Sequence, residues 1–245
     1  MRQFGLIGQS LAHSWSPRWF AAHFERQGIT DACYCLYEME GLDGLRELIE
    51  KEQLQGFNVT IPYKEAIIPY LDQLDDHARA IGAVNCVTVE SSRLTGHNTD
   101  APAFLDTLQP LLRPCHTAAL VLGTGGAAKA VKYALESIGI DVQLVSRTPE
   151  AHPGSISYAT AVAESARRLL IVNATPMGMF PHTDASPWPT NSVPTPYQLR
   201  FDLVYNPEET LFLREGRLHG AAVCNGLAML HRQAELSWTL WDKGM

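Results

Sequence analysis

The most constraining stretch of this chain is a run of five apolar residues, Ala118 to Leu122, that leads directly into Gly123-Thr124-Gly125-Gly126-Ala127-Ala128. The segment after it, Ala130 to Ile138, carries its apolar residues at helical spacing. A strand, a glycine turn and a helix in immediate succession specify a βαβ beginning. Gly123 allows the tight turn, Gly125 lets the main chain approach a pyrophosphate, and Ala128 lets the helix pack close to the sheet. The unpaired N–H groups and dipole at the start of such a helix favour an anion. Asp141 to Ser146 reads as the second strand and closes the unit.

The end of that second strand bears on which dinucleotide fits. An acid at about twenty residues past the glycines would hold a free ribose hydroxyl, but the chain has Ser146-Arg147-Thr148 there. Arg147 offers a planar cation to a 2′-phosphate, and Ser146 and Thr148 offer hydroxyls. NADP is therefore the expected cofactor, with Gly123, Thr124, Gly125, Gly126 and Ala127 around its phosphates.

The first hundred residues read as α/β as well. Gln3 to Gly8 is a strand, Ser16-Pro17 supplies a helix N-cap and first turn, Gly28 ends the helix, Cys33 to Glu38 is a second strand, Leu42 to Glu52 a helix and Gly56 to Thr60 a third strand. Strands separated by helices predict a mostly parallel sheet. Cys86 to Glu90 is a further strand with a turn at Ser91-Ser92, and Asp100 to Leu112 is helical up to Arg113-Pro114, a candidate boundary. Beyond the βαβ unit, Leu169 to Asn173 reads as a buried strand, Pro176 to Pro196 as an irregular loop and Gly226 to Trp241 as a last helix.

Composition removes several classes of function. The net charge of −7, with 19 Lys and Arg scattered, provides no basic stripe for nucleic acid. No apolar run reaches the roughly eighteen residues a membrane span needs, and the N-terminus enters a strand pattern at once, so no export segment and a cytoplasmic protein are expected. Five cysteines without paired metal-ligand spacing read as free thiols, and no metal is expected.

Polar clusters that packing does not explain fall near expected strand ends: Ser14-Trp15-Ser16-Pro17, Asn58 to Lys64, Gly82-Ala83-Val84-Asn85 and Gly96-His97-Asn98-Thr99-Asp100. In an open α/β sheet, ligands bind beyond the carboxyl ends of strands. Hydroxyls, amides, one ammonium and one carboxylate suit a small polyhydroxylated substrate, since each buried hydroxyl needs a partner.

These clusters, with the later G-T-G-G-A-A, S-R-T, V-N-A-T-P-M-G-M, F-D-L-V-Y-N-P-E-E-T and N-G-L-A-M-L-H-R-Q-A, follow the order seen in the shikimate dehydrogenase family, which the chain resembles along almost its whole length. The resemblance implies reversible reduction of 3-dehydroshikimate to shikimate by NADPH in the route to aromatic amino acids. It implies an N-terminal substrate domain, 1–100, completed by 226–245, and a Rossmann-type doubly wound nucleotide domain, 101–225. The family's catalytic pair falls on Lys64 and Asp100. Reduction of a ketone leaves an alkoxide that must be protonated; an ammonium serves as donor, and a neighbouring carboxylate favours that charged form. The same resemblance places Ser14 and Ser16 on the substrate carboxylate, and Thr60, Asn85, Tyr205 and Gln233 on the carboxylate or hydroxyls. It places Ala174, Thr175, Val204, Gly226 and Met229 around adenosine or nicotinamide, and matches Asp76 to an acidic position tied to NADP. Asn58 braces the loop or touches ligand, His13 and His97 read as loop histidines, and Met177 and Met179 as packing residues. Asp100 also reads as a helix N-cap.

Cys86, Thr124, Ala103 and Ser146 depart from the family pattern, and no second arginine follows Arg147, which softens the expected preference for NADP over NAD. A quinate or dual quinate/shikimate dehydrogenase and a non-catalytic metabolite-binding regulator are the competing readings. The S-W-S and S-R-T segments favour the shikimate enzyme over the first, and the retained proton-handling pair opposes the second. The expected assembly is a monomer or homodimer.

Overall fold

The structure is a computed structural model that describes residues 1–12, 14–189 and 192–242; His13 lies outside them. The chain divides into two compact units, Met1–Thr99 with Gln233–Met245, and Asp100–Arg232. Arg113-Pro114 lies inside the second unit, and the break falls at Thr99 instead. The helix beginning at Asp100 belongs with the second unit because Phe104 packs edge-on against Phe201, ring centroids 5.0 Å apart.

The first unit contains β1 (Arg2–Gly8), α1 (Ser16–Gln27), β2 (Ala32–Glu38), α2 (Leu45–Glu52), β3 (Leu54–Val59), α3 (Tyr63–Ala66), β4 (Gln73–Leu74), α4 (Asp76–Ile81), β5 (Cys86–Glu90) and β6 (Arg93–His97). Its sheet runs β2-β1-β3-β5-β6-β4. β1 pairs parallel with β2 and β3, while β5 is antiparallel to both β3 and β6. The sheet is thus mostly parallel with a hairpin set into it. Ser91 and Ser92 form the two-residue hairpin turn with φ of 49° and 66°. The turn falls at Ser91-Ser92 as expected, without the Asn-Gly or Asp-Gly that normally supplies positive φ, and the strand beyond it, β6, is an addition to the expected strands.

Several boundaries differ from the sequence reading, among them β3, which runs Leu54–Val59 rather than Gly56 to Thr60, and α5, which ends at Leu108 rather than Leu112. Ser16 is not the N-cap of α1: Trp15 holds that place, and Ser16 is the first helical residue, whose N–H meets the Ser14 hydroxyl at 3.3 Å. Leu42 to Gly44 turn before α2 begins, although Leu42 is buried. Asp100 is the first residue of its helix rather than its cap.

The end of the chain returns to the first sheet through aromatic packing. In the last helix, Trp238 and Trp241 lie against Phe4, with ring centroids 5.4 and 5.0 Å away, in a cluster with Phe20, Phe24 and Ala234. Gly56 of β3 is a glycine for this reason: any side chain there would strike the indole of Trp241, whose Nε1 donates to the Val87 carbonyl at 3.0 Å. Arg2 adds a polar tie, bonding Asp31 through two nitrogens at 2.9 and 3.0 Å and Asp242 at 3.0 Å.

The second unit contains α5 (Asp100–Leu108), β7 (Ala118–Leu122), α6 (Gly126–Ser137), β8 (Asp141–Ser146), β9 (Ser155–Ser157), α7 (Tyr158–Glu164), β10 (Leu170–Asn173), β11 (Leu199–Asp202), α8 (Leu211–Leu218) and β12 (Ala222–Cys224). The chain's last helix, α9 (Leu227–Asp242), begins in this unit and ends in the first. The sheet order β12-β11-β10-β7-β8-β9 is parallel throughout. Counted within the unit this is 3-2-1-4-5-6 read from the other edge, the doubly wound order, with its reversal between β7 and β10. The central strands are buried along nearly their whole length, as parallel strands covered on both faces require. α6 starts four residues earlier than its apolar spacing predicts, because the small residues Gly126 to Ala128 and then Lys129 carry no hydrophobic signal yet form the first turn.

Candidate active site

In the first unit the expected substrate residues converge on one edge of the sheet. β1 and β3 end there, β5 runs the opposite way and begins there, and β6 returns to it. Ser14 and Ser16 follow β1, Thr60 and Lys64 follow β3, Asn85 precedes β5, and Asn98-Thr99 follow β6. Backbone bonds hold these loops: Thr60 N–H donates to Ile7 O at 2.9 Å, Val84 N–H to Lys64 O at 2.8 Å, and Asn85 N–H to His97 O at 3.1 Å. Lys64 is half-buried in α3. Asp100 is 5 % exposed at the head of α5 and follows Thr99 directly.

A buried polar network lies under this edge. Asn58 receives the Tyr34 hydroxyl at 2.8 Å and donates from Nδ2 to Asn85 O at 3.1 Å and Ser237 Oγ at 2.9 Å. Asn85 in turn accepts the Thr99 N–H at 2.7 Å and donates to Thr99 Oγ1 at 2.9 Å. Ser237 donates to the Gln233 carbonyl at 2.9 Å, and Thr99 Oγ1 is 3.2 Å from its hydroxyl. Of the two readings of Asn58, the brace is the one this geometry supports. Burial holds the Tyr34 phenol well above its ordinary range, with Ser16 as a hydrogen-bond partner acting the other way. Sequence reasoning misses Ser237 and Tyr34: a serine on an apolar helix face and a tyrosine on an edge strand carry no local mark that singles them out.

His97 is held between Asp75 Oδ2, 2.8 Å from Nδ1, and Thr88 Oγ1, 3.1 Å from Nε2, which makes it part of the frame. Asp75 also caps α4 by accepting the Ala78 N–H at 2.6 Å. Burial alone would raise its carboxyl, but the bonds from His97 and Ala78 outweigh that and hold it below the usual carboxylate range.

In the second unit, the expected nucleotide residues lie at the carboxyl ends of parallel strands and so along one edge. Gly123 follows β7 with φ of 111°, a conformation that favours glycine, and a side chain there would crowd Thr175 and Ala174 of the loop after neighbouring β10. Gly125 caps α6 in extended conformation without a side-chain cap, and a Cβ added to it would meet open space. The 12-residue α6 therefore presents its first N–H groups beside an open glycine cradle, which fits a pyrophosphate. Thr124 completes the turn, and Gly126 and Ala127 are the first residues of α6. Arg147 is exposed just past β8, near enough to Tyr158 to act on its phenol, and Thr148 follows it; Ser146 is buried and accepts the Thr148 N–H at 3.1 Å.

The loops after β10 and β11 are tied together below this edge. Ala174 N–H bonds Leu122 O at 3.0 Å, and Gly226 N–H bonds Val204 O at 3.1 Å. Gly226 admits no side chain, since a Cβ would overlap the Leu203 carbonyl. Val204 and Met229 are buried. Asn173, Asp202 and Thr210, all buried, form the bonds beneath; in the sequence Asp202 stands out only as part of a longer motif, and the buried trio is visible only once the strands are paired.

The expected substrate residues are divided between the units: Asp100 and Tyr205 lie in the second, and Ser14, Ser16, Thr60, Lys64, Asn85 and Gln233 in the first. Asp76 is an exposed residue of α4 in the first unit, while the remaining nucleotide candidates lie in the second. Met177 is half-buried, but Met179 is 42 % exposed and does not pack as expected, because it lies in the irregular loop after β10. None of the five cysteines is in a disulfide, and no metal-binding cluster or helix long and apolar enough to cross a membrane occurs among the described residues.

Residues 6–87 match the family profile described as the shikimate dehydrogenase substrate binding domain. A shikimate dehydrogenase (NADP(+)) of Thermus thermophilus is 39 % identical over 248 residues, covering 98 % of this chain and 92 % of that one. Among solved structures, a shikimate 5-dehydrogenase of Thermus thermophilus in complex with NADP(H) and shikimate superposes with a TM-score of 0.88 at 36 % identity, covering 100 % and 94 % of the two chains. The quinate dehydrogenase of Corynebacterium glutamicum in complex with NAD superposes with a TM-score of 0.85 at 28 % identity, covering 100 % and 94 %. The fold is thus shared across substrates, while identity above a third along nearly the whole length is to the shikimate enzymes: the chain belongs to the shikimate dehydrogenase family.

Proposed function

We propose that this chain catalyses the reversible reduction of 3-dehydroshikimate to shikimate with NADPH, in the cytoplasm, as a monomer or homodimer, as part of aromatic amino acid biosynthesis. The observation that carries the reading is the pairing, in one chain, of an open glycine cradle at an uncapped helix with a rim of Ser14, Ser16, Thr60, Lys64 and Asn85 on a separate sheet. The first unit holds the substrate and the second the nucleotide.

The cofactor supplies a hydride at its nicotinamide ring. The chain's residues do the rest. Lys64 donates a proton to the carbonyl oxygen as negative charge develops there, and takes it back in oxidation. Asp100 orients Lys64 and accepts a substrate hydroxyl. Ser14 and Ser16 hold the substrate carboxylate, assisted by the N-terminus of α1, and Thr60, Asn85, Tyr205 and Gln233 take the remaining polar groups. Gly123 to Ala127 cradle the pyrophosphate, Ser146, Arg147 and Thr148 hold the 2′-phosphate, and Ala174, Thr175, Val204, Gly226 and Met229 line the adenosine and nicotinamide positions.

Following the absorbance of the reduced nicotinamide, NADPH or NADH, with shikimate and quinate, each crossed with NADP+ and NAD+, tests this. Turnover with shikimate and NADP+ well above the other three combinations is expected. Preference for quinate would move the chain to the quinate branch of its family, and binding without turnover would make it a regulator.

A further inference from the structure

Asp202 ends β11 with no solvent exposure, and its two oxygens have different tasks. Oδ1 accepts from Asn173 Nδ2 at 2.8 Å and from Val204 N–H at 3.0 Å, whereas Oδ2 accepts from the Thr210 hydroxyl at 2.6 Å. Asn173 passes the constraint on: its Oδ1 accepts the Thr175 N–H at 3.0 Å and the Thr175 hydroxyl at 2.7 Å, and its Nδ2 also reaches Met177 O at 3.3 Å. Thr175 borders the glycine turn, 3.2 Å from where a side chain on Gly123 would begin. One oxygen thereby fixes two loops and, through Thr175, the flank of a third.

We propose that Asp202 is a positioning residue for nucleotide binding, its Oδ1 holding the Ala174-Thr175 loop, which borders the glycine turn, in register with the Val204-Tyr205 loop. The proposal rests on the reading of the second unit as the nucleotide site. A brace meant for stability alone has no need of an ionisable group here. Burial drives the Asp202 carboxyl up to about 6 against the bonds from Thr210, Val204 and Asn173, so its charge at neutral pH is a cost. Thr210 separates the two tasks, because it touches only Oδ2 and caps α8 by accepting the Leu213 N–H.

The test is titration of the full-length chain with NADP+ by calorimetry, alongside KM for shikimate and thermal melting, for Asp202→Ala, Asp202→Asn and Thr210→Val. Asp202→Ala is expected to raise the NADP+ Kd about tenfold or more while KM for shikimate stays within about twofold. Asp202→Asn keeps an acceptor at Oδ1, and Thr210 can turn to accept from its amide, so its Kd should recover to within about threefold of wild type. Thr210→Val should lower Tm by several degrees and leave the NADP+ Kd unchanged. Should Asp202→Ala fail to fold, Asn173→Ala removes the same link from the other side and must weaken NADP+ in its place. NADP+ affinity unchanged in the alanine variants, or lost equally in Thr210→Val, overturns the positioning role. A wild-type chain that does not bind NADP+ overturns the nucleotide reading itself.

Discussion

The two units solve the same problem with different chemistry. Each must hold loops at one edge of a sheet, and each does so with buried polar groups beneath that edge. In the first unit the brace is neutral: Tyr34, Asn58, Asn85, Thr99 and Ser237 exchange hydrogen bonds through amides and hydroxyls. In the second it centres on one carboxylate, Asp202, with Asn173 and Thr210. The neutral brace gathers residues from separated segments, suiting a mixed sheet whose loops arrive from strands running both ways. The parallel sheet needs fewer ties, because its strand ends already share an edge. The contrast predicts that damage to each brace is felt by a different ligand and that pH reaches only one of them.

The largest expected effect tests what the first unit's brace serves. Lys64→Ala should lower kcat with shikimate by roughly 10²- to 10⁴-fold, the range for loss of a proton donor, with a much smaller change in shikimate affinity. Steady-state kinetics checks it, and near-normal kcat contradicts the assigned role.

Next comes pH. The Asp202 carboxyl is raised by burial from 3.8 to about 6, so between those values the folded chain keeps a proton that the unfolded chain has lost. Its contribution to stability therefore falls as pH rises through that window, by up to about 3 kcal/mol at about 1.4 kcal/mol per pKa unit. Urea melts from pH 4 to 7 on wild type and Asp202→Asn should show the difference between them shifting in wild type's disfavour across the window. A constant difference would mean that the three donors fully offset burial. No such window is expected on comparing wild type with Asn58→Ala.

Asn58→Ala removes bonds to Tyr34, Asn85 and Ser237 and leaves buried partners unsatisfied, which should cost about 2 kcal/mol of stability. Its kinetic effect should appear in kcat/KM for shikimate and spare the NADP+ Kd, the mirror image of Asp202→Ala. Equal losses for both ligands would erase the distinction between the braces. The smallest change is Arg147→Ala, expected to weaken NADP+ by about tenfold and leave NAD+ nearly unaffected, measured as the ratio of the two Kd values.

How much can be read from the chain beforehand follows from the same contrast. The strand, glycine turn and helix around Gly123 are contiguous, so their geometry is written locally; only the start of α6 differs, where Gly126 to Lys129 lack apolar spacing. The rim of the first unit is scattered over separate loops, and its chemistry is legible mainly through resemblance. The braces are least legible. Ser237 meets Asn58 across 179 positions, and Asp202 meets Asn173 across 29, so no local pattern marks either pair. β6 is hidden by Gly96, a glycine that suits close packing against Leu71, Leu74 and Val84 and weakens any strand signal.

Hydrogen–deuterium exchange on the full-length chain, with NADP+ alone and with shikimate alone, tests the division of labour most directly. NADP+ should slow exchange at Gly123 to Ala127, at Ser146 to Thr148 and at Ala174-Thr175, and shikimate should slow it around Ser14 to Ser16, Thr60 to Lys64 and Asn85. Protection of the glycine turn by shikimate alone, or no protection there by NADP+, would contradict it.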